Sequence, residues 1–323
     1  MEQIKITDIE DIKVGHAQNL DAGTGCTVVI CEKGATAGID VRGGSPGTRE
    51  SDVLNPVNLV EKINGVILAG GSAFGLDAAS GVMQYLEERN IGFDAQVTRI
   101  PIVCGAVLFD LAIGDHRVRP DKQMGYEACR NAMDPGCDEG NVGAGTGATV
   151  GKILGMTRAM KSGFGCYCIQ VDALKIGALV AVNCLGDVMD PETGSRLAGL
   201  LTEDLNGLAD TEAIMIKSFA EKKNLFSGNT TIGIVATNAV LSKAQACKLA
   251  SMAQNGYART IRPAHTMFDG DTIFTIATGQ VEADLSALGL LSARVVEKAV
   301  ISAIKKTKGL FGLKSSGDLT HSN

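Results

Sequence analysis

The chain has no tryptophan, and only four tyrosines and nine phenylalanines among 323 residues. That leaves too few aromatic faces to stack the bases of a single strand. It also lacks excess positive charge. The net charge is −6, so a phosphate backbone finds no basic footprint and nucleic acid is not expected as a partner. No stretch approaches the roughly 18 uninterrupted apolar residues of a membrane span, so no membrane partner is expected either. The nine cysteines (Cys26, Cys31, Cys104, Cys129, Cys137, Cys166, Cys168, Cys184 and Cys247) include no C-x-x-C pair. An odd, scattered set suits neither a disulfide framework nor a zinc site. Met1–Val14 holds no apolar segment of the kind that directs export, and a cytoplasmic location is the expectation. Seven prolines against forty glycines exclude collagen-like and proline-rich disordered chains, and point to many tight turns and close backbone contacts.

What is present suits a folded enzyme-sized unit. Hydrophobic residues make up 45% and charged residues 20%, enough apolar material for a sizeable core. Short β-branched runs recur at Cys26–Cys31, Val66–Leu68, Cys166–Val171, Lys175–Asn183, Thr230–Thr237 and Thr272–Thr278, each bounded by Gly, Asn or Asp as strands are. Helical spacing joins Leu76, Ala79, Met83 and Leu86; Ala246, Leu249, Ala250 and Ala253; and Val296, Ala299, Val300 and Ala303. Gly256 stands where a glycine would cap the second of these helices. Leu205–Gly228 reads as a helix followed by an exposed charged loop, and the polar residues after Leu313 read as frayed. Periodicity alone predicts mixed α and β, with helices layered on sheets.

Four motifs could carry chemistry. Residues 65–82, GVILAGGSAFGLDAASGV, resemble a strand–turn–helix nucleophile elbow around Ser72, but Phe74 occupies the second glycine position of G-x-S-x-G. A structural turn that exposes amide groups is the better reading. Residues 140–152, GNVGAGTGATVGK, suggest a phosphate loop. However, Thr146 stands where the first glycine of G-x-x-x-x-G-K-[ST] belongs, and Ile153 where the hydroxyl belongs. Lys152 there is either a solvated lysine or a point charge in a site. Residues 228–239, GNTTIGIVATNA, are by composition a loop running into a strand. Residues 262–279 place Asp269-Gly270-Asp271 at the mouth of a strand, with no further acidic cluster to complete a metal site. His265 lies nearby, but one histidine makes neither a metal site nor a triad, and His16, His116 and His321 share no pattern with a Ser or Cys. No metal or cofactor is expected.

Taken in order, LAGGSAFGLDAASGV, GNVGAGTGATVGK, GALVAVNCLGDV, NTTIGIVATNA and HTMFDGDT resemble the L-aminopeptidase/D-amidase/D-esterase family of self-processing hydrolases. That family includes β-peptidyl aminopeptidases and nylon-oligomer hydrolases. The resemblance runs from Asp11-Ile12-Lys13-Val14-Gly15-His16 to Ala277-Thr278-Gly279. It implies an αββα sandwich of the N-terminal-nucleophile type, related to the ornithine acetyltransferase fold. It also implies one catalytic domain over residues 1–323, cut between Asn229 and Thr230 into chains 1–229 and 230–323. Thr230 would be the nucleophile, with Lys152, Asn183, Asp269 and Asp271 as the polar residues around it. The peptidase branch carries Ser and Glu at the acidic pair, and a tyrosine in the segment matching Pro101–Asp110. This chain has neither feature, which favours the nylon-oligomer-hydrolase-like branch. Small peptide or linear amide substrates and a homotetramer follow from the resemblance. Two other readings stay open at this stage: an acyltransferase using the same threonine, and a glycine-rich binding protein without activity.

Overall fold

The alternation of apolar residues along each strand decides the architecture, because successive side chains face opposite sides of a sheet. In the computed structural model, which describes residues 1–132, 136–220 and 228–319, ten strands join into one continuous hydrogen-bonded system. They are β1 (Glu2–Ile4), β2 (Lys13–Asn19), β3 (Thr24–Val41), β4 (Thr48–Arg49), β5 (Ile63–Ala69), β6 (Val103–Val107), β7 (Phe164–Val171), β8 (Leu174–Ala181), β9 (Ile232–Ala239) and β10 (Thr272–Val281). Their spatial order is β1-β7-β8-β9-β10-β3-β5-β6-β4, with β2 also on β3.

The system folds into two sheets at β3. Its first half, Thr24–Ile30, pairs with β2 and β5, and its second half, Thr36–Val41, pairs with β10; the register shifts between Ile30 and Ala35. Three apolar layers follow. Val29, Val66, Leu68 and Cys104 from one sheet meet Phe164, Leu179, Ile234 and Phe274 from the other in a central core. The opposite face of the first sheet, with Val28, Ile67 and Val103, packs on α1 (Ala78–Glu87) and α2 (Lys122–Asn131). The opposite face of the second, with Ile176, Val180, Val235 and Ile273, packs on α4 (Lys243–Thr260) and α5 (Leu285–Lys306). The layers are helix, sheet, sheet, helix: the αββα sandwich expected from the resemblance.

The remaining helix, α3 (Thr211–Ala220), lies apart from these layers. Ile214 and Met215 on it pack with Ile153, Leu185, Leu200 and Phe268. Its first turn is held by buried Asp187, whose carboxylate accepts the Thr211 N–H at 3.0 Å, the Thr211 hydroxyl at 2.6 Å and the Leu200 N–H at 2.9 Å. The loop expected after this helix falls largely on residues 221–227, outside the described residues.

Two sequence expectations need correction. Gly256 does not end α4, which continues to Thr260; the glycine instead lets α5 approach, since a Cβ there would stand 2.5 Å from Val296 Cγ1. The segment after Leu313 is not frayed as far as Leu319. Ser315 is buried, a short 3₁₀ turn spans Ser316–Asp318, and the Ser316 hydroxyl donates to the Leu197 carbonyl at 2.7 Å. No helix among the described residues is long and apolar enough to cross a membrane.

Candidate active site

Strand registers bring the distant motifs together. In the antiparallel pair β8–β9, Ala181 faces Ile232, and in the parallel pair β9–β10, Ile232 faces Thr272. Both ladders continue past the strand ends. The Thr230 N–H donates to the Asn183 carbonyl at 2.9 Å, and Asn229 bridges Asp269 in parallel register. Thr230 therefore sits between Asn183 on one side and Asp269-Gly270-Asp271 on the other, at one end of the second sheet. All are buried: Thr230 is 5% exposed, Asn229 1%, Lys152 1%, and Asn183, Asp269 and Asp271 0%. The five expected polar residues thus converge on one place.

The carbonyl of Asn229 has two donors. The Thr230 hydroxyl donates to it, and the Gly270 N–H reaches it at 3.0 Å. Gly270 has no side chain for a steric reason: a Cβ there would lie 2.8 Å from Thr230 Oγ1 and 2.7 Å from the Ser45 carbonyl. The Gly43–Ser45 strap holds this segment from outside, with the Ser45 N–H on the Asp269 carbonyl at 2.8 Å and the Gly43 N–H on the Asp271 carbonyl.

Lys152 is carried in by the glycine-rich motif, whose Gly151 and Lys152 N–H groups donate to the Gly186 and Leu185 carbonyls at 3.0 Å. Its Nζ donates to Asn183 Oδ1 at 2.8 Å, to the Asn183 carbonyl at 3.0 Å and to the Gly228 carbonyl at 3.4 Å. Burial pulls its pKa down to about 7, against the opposing pull of Cys184, Asp269, Asp110 and Asp271. Asn183 is itself fixed: its Oδ1 also accepts the Thr149 N–H, and its Nδ2 donates to the Phe109 carbonyl at 3.1 Å. One of the two amide protons is therefore engaged, and the second has no hydrogen-bond partner among the described residues.

The carboxylates brace the backbone around the junction. Asp269 accepts the Leu185 N–H at 3.2 Å, the Thr266 N–H at 3.1 Å and the Thr266 hydroxyl. Asp271 accepts the Thr231 N–H at 2.9 Å on one oxygen; on the other it takes the His265 N–H at 2.9 Å and faces His265 Nδ1 at 3.0 Å. Burial, then the neighbouring charge of Asp271, raises the pKa of Asp269 to about 6.

Sequence reasoning passed over three participants. His265 has no sequence partner that marks it, and only the five-residue turn to Asp271 reveals its role. The Gly270 donor is a backbone group, which no side-chain motif can announce. Phe109 lies in the segment where a tyrosine was looked for: a Cβ on Gly228 would stand 2.9 Å from its ring. Ser72, by contrast, makes no hydrogen bond to the five expected polar residues among the described residues. It stands at φ 52 in the turn after β5, with its N–H on the Leu108 carbonyl, consistent with a structural turn.

The chain is also similar to known proteins. The profile of peptidase family S58 matches residues 5–316. A Mycobacterium leprae protein named as an uncharacterised aminopeptidase is 46% identical over 295 residues, which cover 87% of this chain and 80% of that one. A 6-aminohexanoate-oligomer endohydrolase from a Kocuria species is 28% identical, covering 92% and 85%. Among solved structures, the L-aminopeptidase D-Ala-esterase/amidase of Ochrobactrum anthropi, described as a variant of the Ntn hydrolase fold, superposes with a TM-score of 0.71 at 18% identity, covering 95% of this chain and 87% of that one. A Burkholderia β-aminopeptidase gives 0.69 at 20% identity, covering 94% and 86%.

Proposed function

The chain belongs to peptidase family S58 and is a hydrolase of amide bonds, and from that premise we propose that it cuts itself between Asn229 and Thr230 and then hydrolyses small peptides or linear amides with Thr230 as nucleophile. The observation that carries this reading is the pair of donors on the Asn229 carbonyl: the Thr230 hydroxyl on one side and the Gly270 N–H on the other. A hydroxyl beside a polarised carbonyl, in a site closed to bulk water, is the arrangement that acyl transfer needs.

In self-cleavage, Thr230 Oγ bonds to the Asn229 carbonyl carbon as the C–N bond breaks. The hydroxyl proton goes to the leaving nitrogen, which becomes the Thr230 α-amine. Water then hydrolyses the ester and leaves a carboxylate on Asn229. The new α-amine, with a reference pKa of roughly 7.7–8.0, is a base well matched to neutral pH. It lies beside the Asn183 carbonyl, where the Thr230 N–H already points. In each later turnover it takes the hydroxyl proton and returns it to the leaving amine; the acyl group rests on Thr230 until water releases it. The Gly270 N–H and the second amide proton of Asn183 are the donors proposed for the oxyanion, and one such donor contributes about 2.7–4 kcal/mol in comparable sites. Lys152 holds positive charge against the carbonyls around the junction. Asp269 and Asp271 keep the two strand ends in register.

The relatives are named for hydrolysis, and nothing at the site favours the acyl-transfer alternative. A cytoplasmic homotetramer is the expected setting, to be checked by light scattering on the purified protein. The decisive test is mass spectrometry of wild type and Thr230→Ala. Wild type is expected to give chains that end at Asn229 and begin at Thr230, and the variant a single full-length chain without amidase activity. A variant that still splits at this bond removes Thr230 from the role.

A further inference from the structure

Self-cleavage requires residues 228 and 229 to lie in the site as a substrate's acyl part would, and their contacts are specific. The Asn229 N–H donates to the Phe268 carbonyl at 3.3 Å, and its carbonyl accepts from the Gly270 N–H at 3.0 Å. The Gly228 carbonyl is reached by Lys152 Nζ at 3.4 Å. This is one short parallel β-pairing, with a cation on the preceding carbonyl. When the Asn229 carboxylate withdraws, these groups lose their partners and must find new ones, because buried unpaired polar groups are costly.

We infer that the hydrolase takes amides whose acyl part continues beyond the scissile residue, bound extended alongside Phe268–Gly270 as residues 228–229 are, and does not require a free amino terminus. The inference rests on the hydrolase reading above and names its substrate class. Three observations support it. First, the position before the scissile residue meets Lys152, whose Nζ is placed to donate to a carbonyl there, as it does to that of Gly228 at 3.4 Å. Second, the two carboxylates flanking the junction are already engaged, Asp269 by the Leu185 N–H and the Thr266 N–H and hydroxyl, and Asp271 by the Thr231 and His265 N–H groups with His265 Nδ1 beside it. Neither is laid out to receive a substrate ammonium. Third, the scissile residue is enclosed, with Asn229 1% exposed, whereas Gly228 is only partly buried; the bound chain therefore leads outward from the site.

The same contacts set a shape limit. Phe109 lies 2.9 Å from where a Cβ on Gly228 would stand, closer than real Cβ contacts allow. The substrate is therefore slender one unit before the scissile carbonyl: a glycine or an unbranched methylene chain fits, a branched side chain does not.

Three chromogenic anilides test this on the self-processed enzyme: acetyl-Gly-Asn-anilide, acetyl-Leu-Asn-anilide and the free-amine Asn-anilide. The acetyl-Gly substrate is expected to exceed each of the others by about tenfold or more in kcat/KM, with the leucine penalty reduced in Phe109→Ala. Preferential turnover of the free-amine substrate would overturn the inference and leave the hydrolase reading intact. Equal rates with glycine and leucine would overturn the shape limit. If none of the three is cleaved by protein correctly split before Thr230, the hydrolase reading falls, and the inference with it.

Discussion

At the scale of single residues, the buried charges make the site responsive to pH. Asp269 ionises at about 6 because burial, and then the charge of Asp271, disfavour its anion. Its pKa in the fold lies above the ordinary 3.8. Its contribution to stability is therefore fully present below that ordinary value and is lost as pH rises through about 6. Its anion is what braces Leu185 and Thr266, so kcat/KM should rise as pH passes through about 6. Removing the neighbouring charge with Asp271→Asn should move that limb to lower pH. A pH–rate series on the two proteins checks this; a limb that stays in place would assign it to a different group. Thr230, Lys152, Asn183, Asp269 and Asp271 were all legible in the sequence, but only as matches to a pattern. Taken alone, Asn229-Thr230 was a loop-to-strand boundary and Lys152 a surface lysine. What the residues could not disclose was how each is satisfied: the two donors on one carbonyl, the occupied carboxylates and the His265 contact all depend on register between strands far apart in sequence.

Elements were legible where one periodicity held, and missed where the chain changed surroundings. The first half of β3 was found as Cys26–Cys31. Its second half was not, because Glu32-Lys33-Gly34 interrupt the alternation where the strand passes from one sheet to the other. In α4 the apolar stripe was read correctly but its end was not. Gly256 carries a cap glycine's signature, yet serves close packing in a helix interior. The two effects of adding a methyl group there oppose each other. Alanine gains about 1 kcal/mol of helix propensity over glycine, whereas overpacking a core costs about 1–3 kcal/mol. With a Cβ placed 2.5 Å from Val296 Cγ1 and 2.7 Å from the Ala293 carbonyl, the clash should win. Gly256→Ala is expected to destabilise the protein by about 1–2 kcal/mol in urea unfolding. Adding Val296→Ala should return part of that loss, read as a coupling energy between the two sites. A stabilised Gly256→Ala variant would show that α4 and α5 have room to separate.

For the whole molecule, periodicity predicted mixed α and β with helices layered on sheets; the αββα order of the layers came from the resemblance. The reason is topological. β1 pairs with β7, β10 returns to β3, and β9 runs parallel to β10, so sheet neighbours are not chain neighbours and no local pattern orders them. That same ordering decides what the proposed cleavage would do to the fold. Residues 230–323, the smaller chain of that proposal, contribute β9, β10, α4 and α5. β9 is flanked by β8 and β10, and β10 by β9 and β3, so the smaller chain lies within the second sheet, with 1–229 hydrogen-bonded along both of its edges. Ile234 and Phe274 enter the central core, and α4 and α5 cover the outer face of strands from both chains. Separating the pieces would expose both ladders and two apolar layers together, a cost on the scale of global unfolding rather than of subunit exchange. The two chains should therefore co-elute on size exclusion after processing and part only in denaturant, and the processed protein should melt in one transition. Elution of the smaller chain on its own under native conditions would show that the sheet does not bind the halves as its pairing indicates.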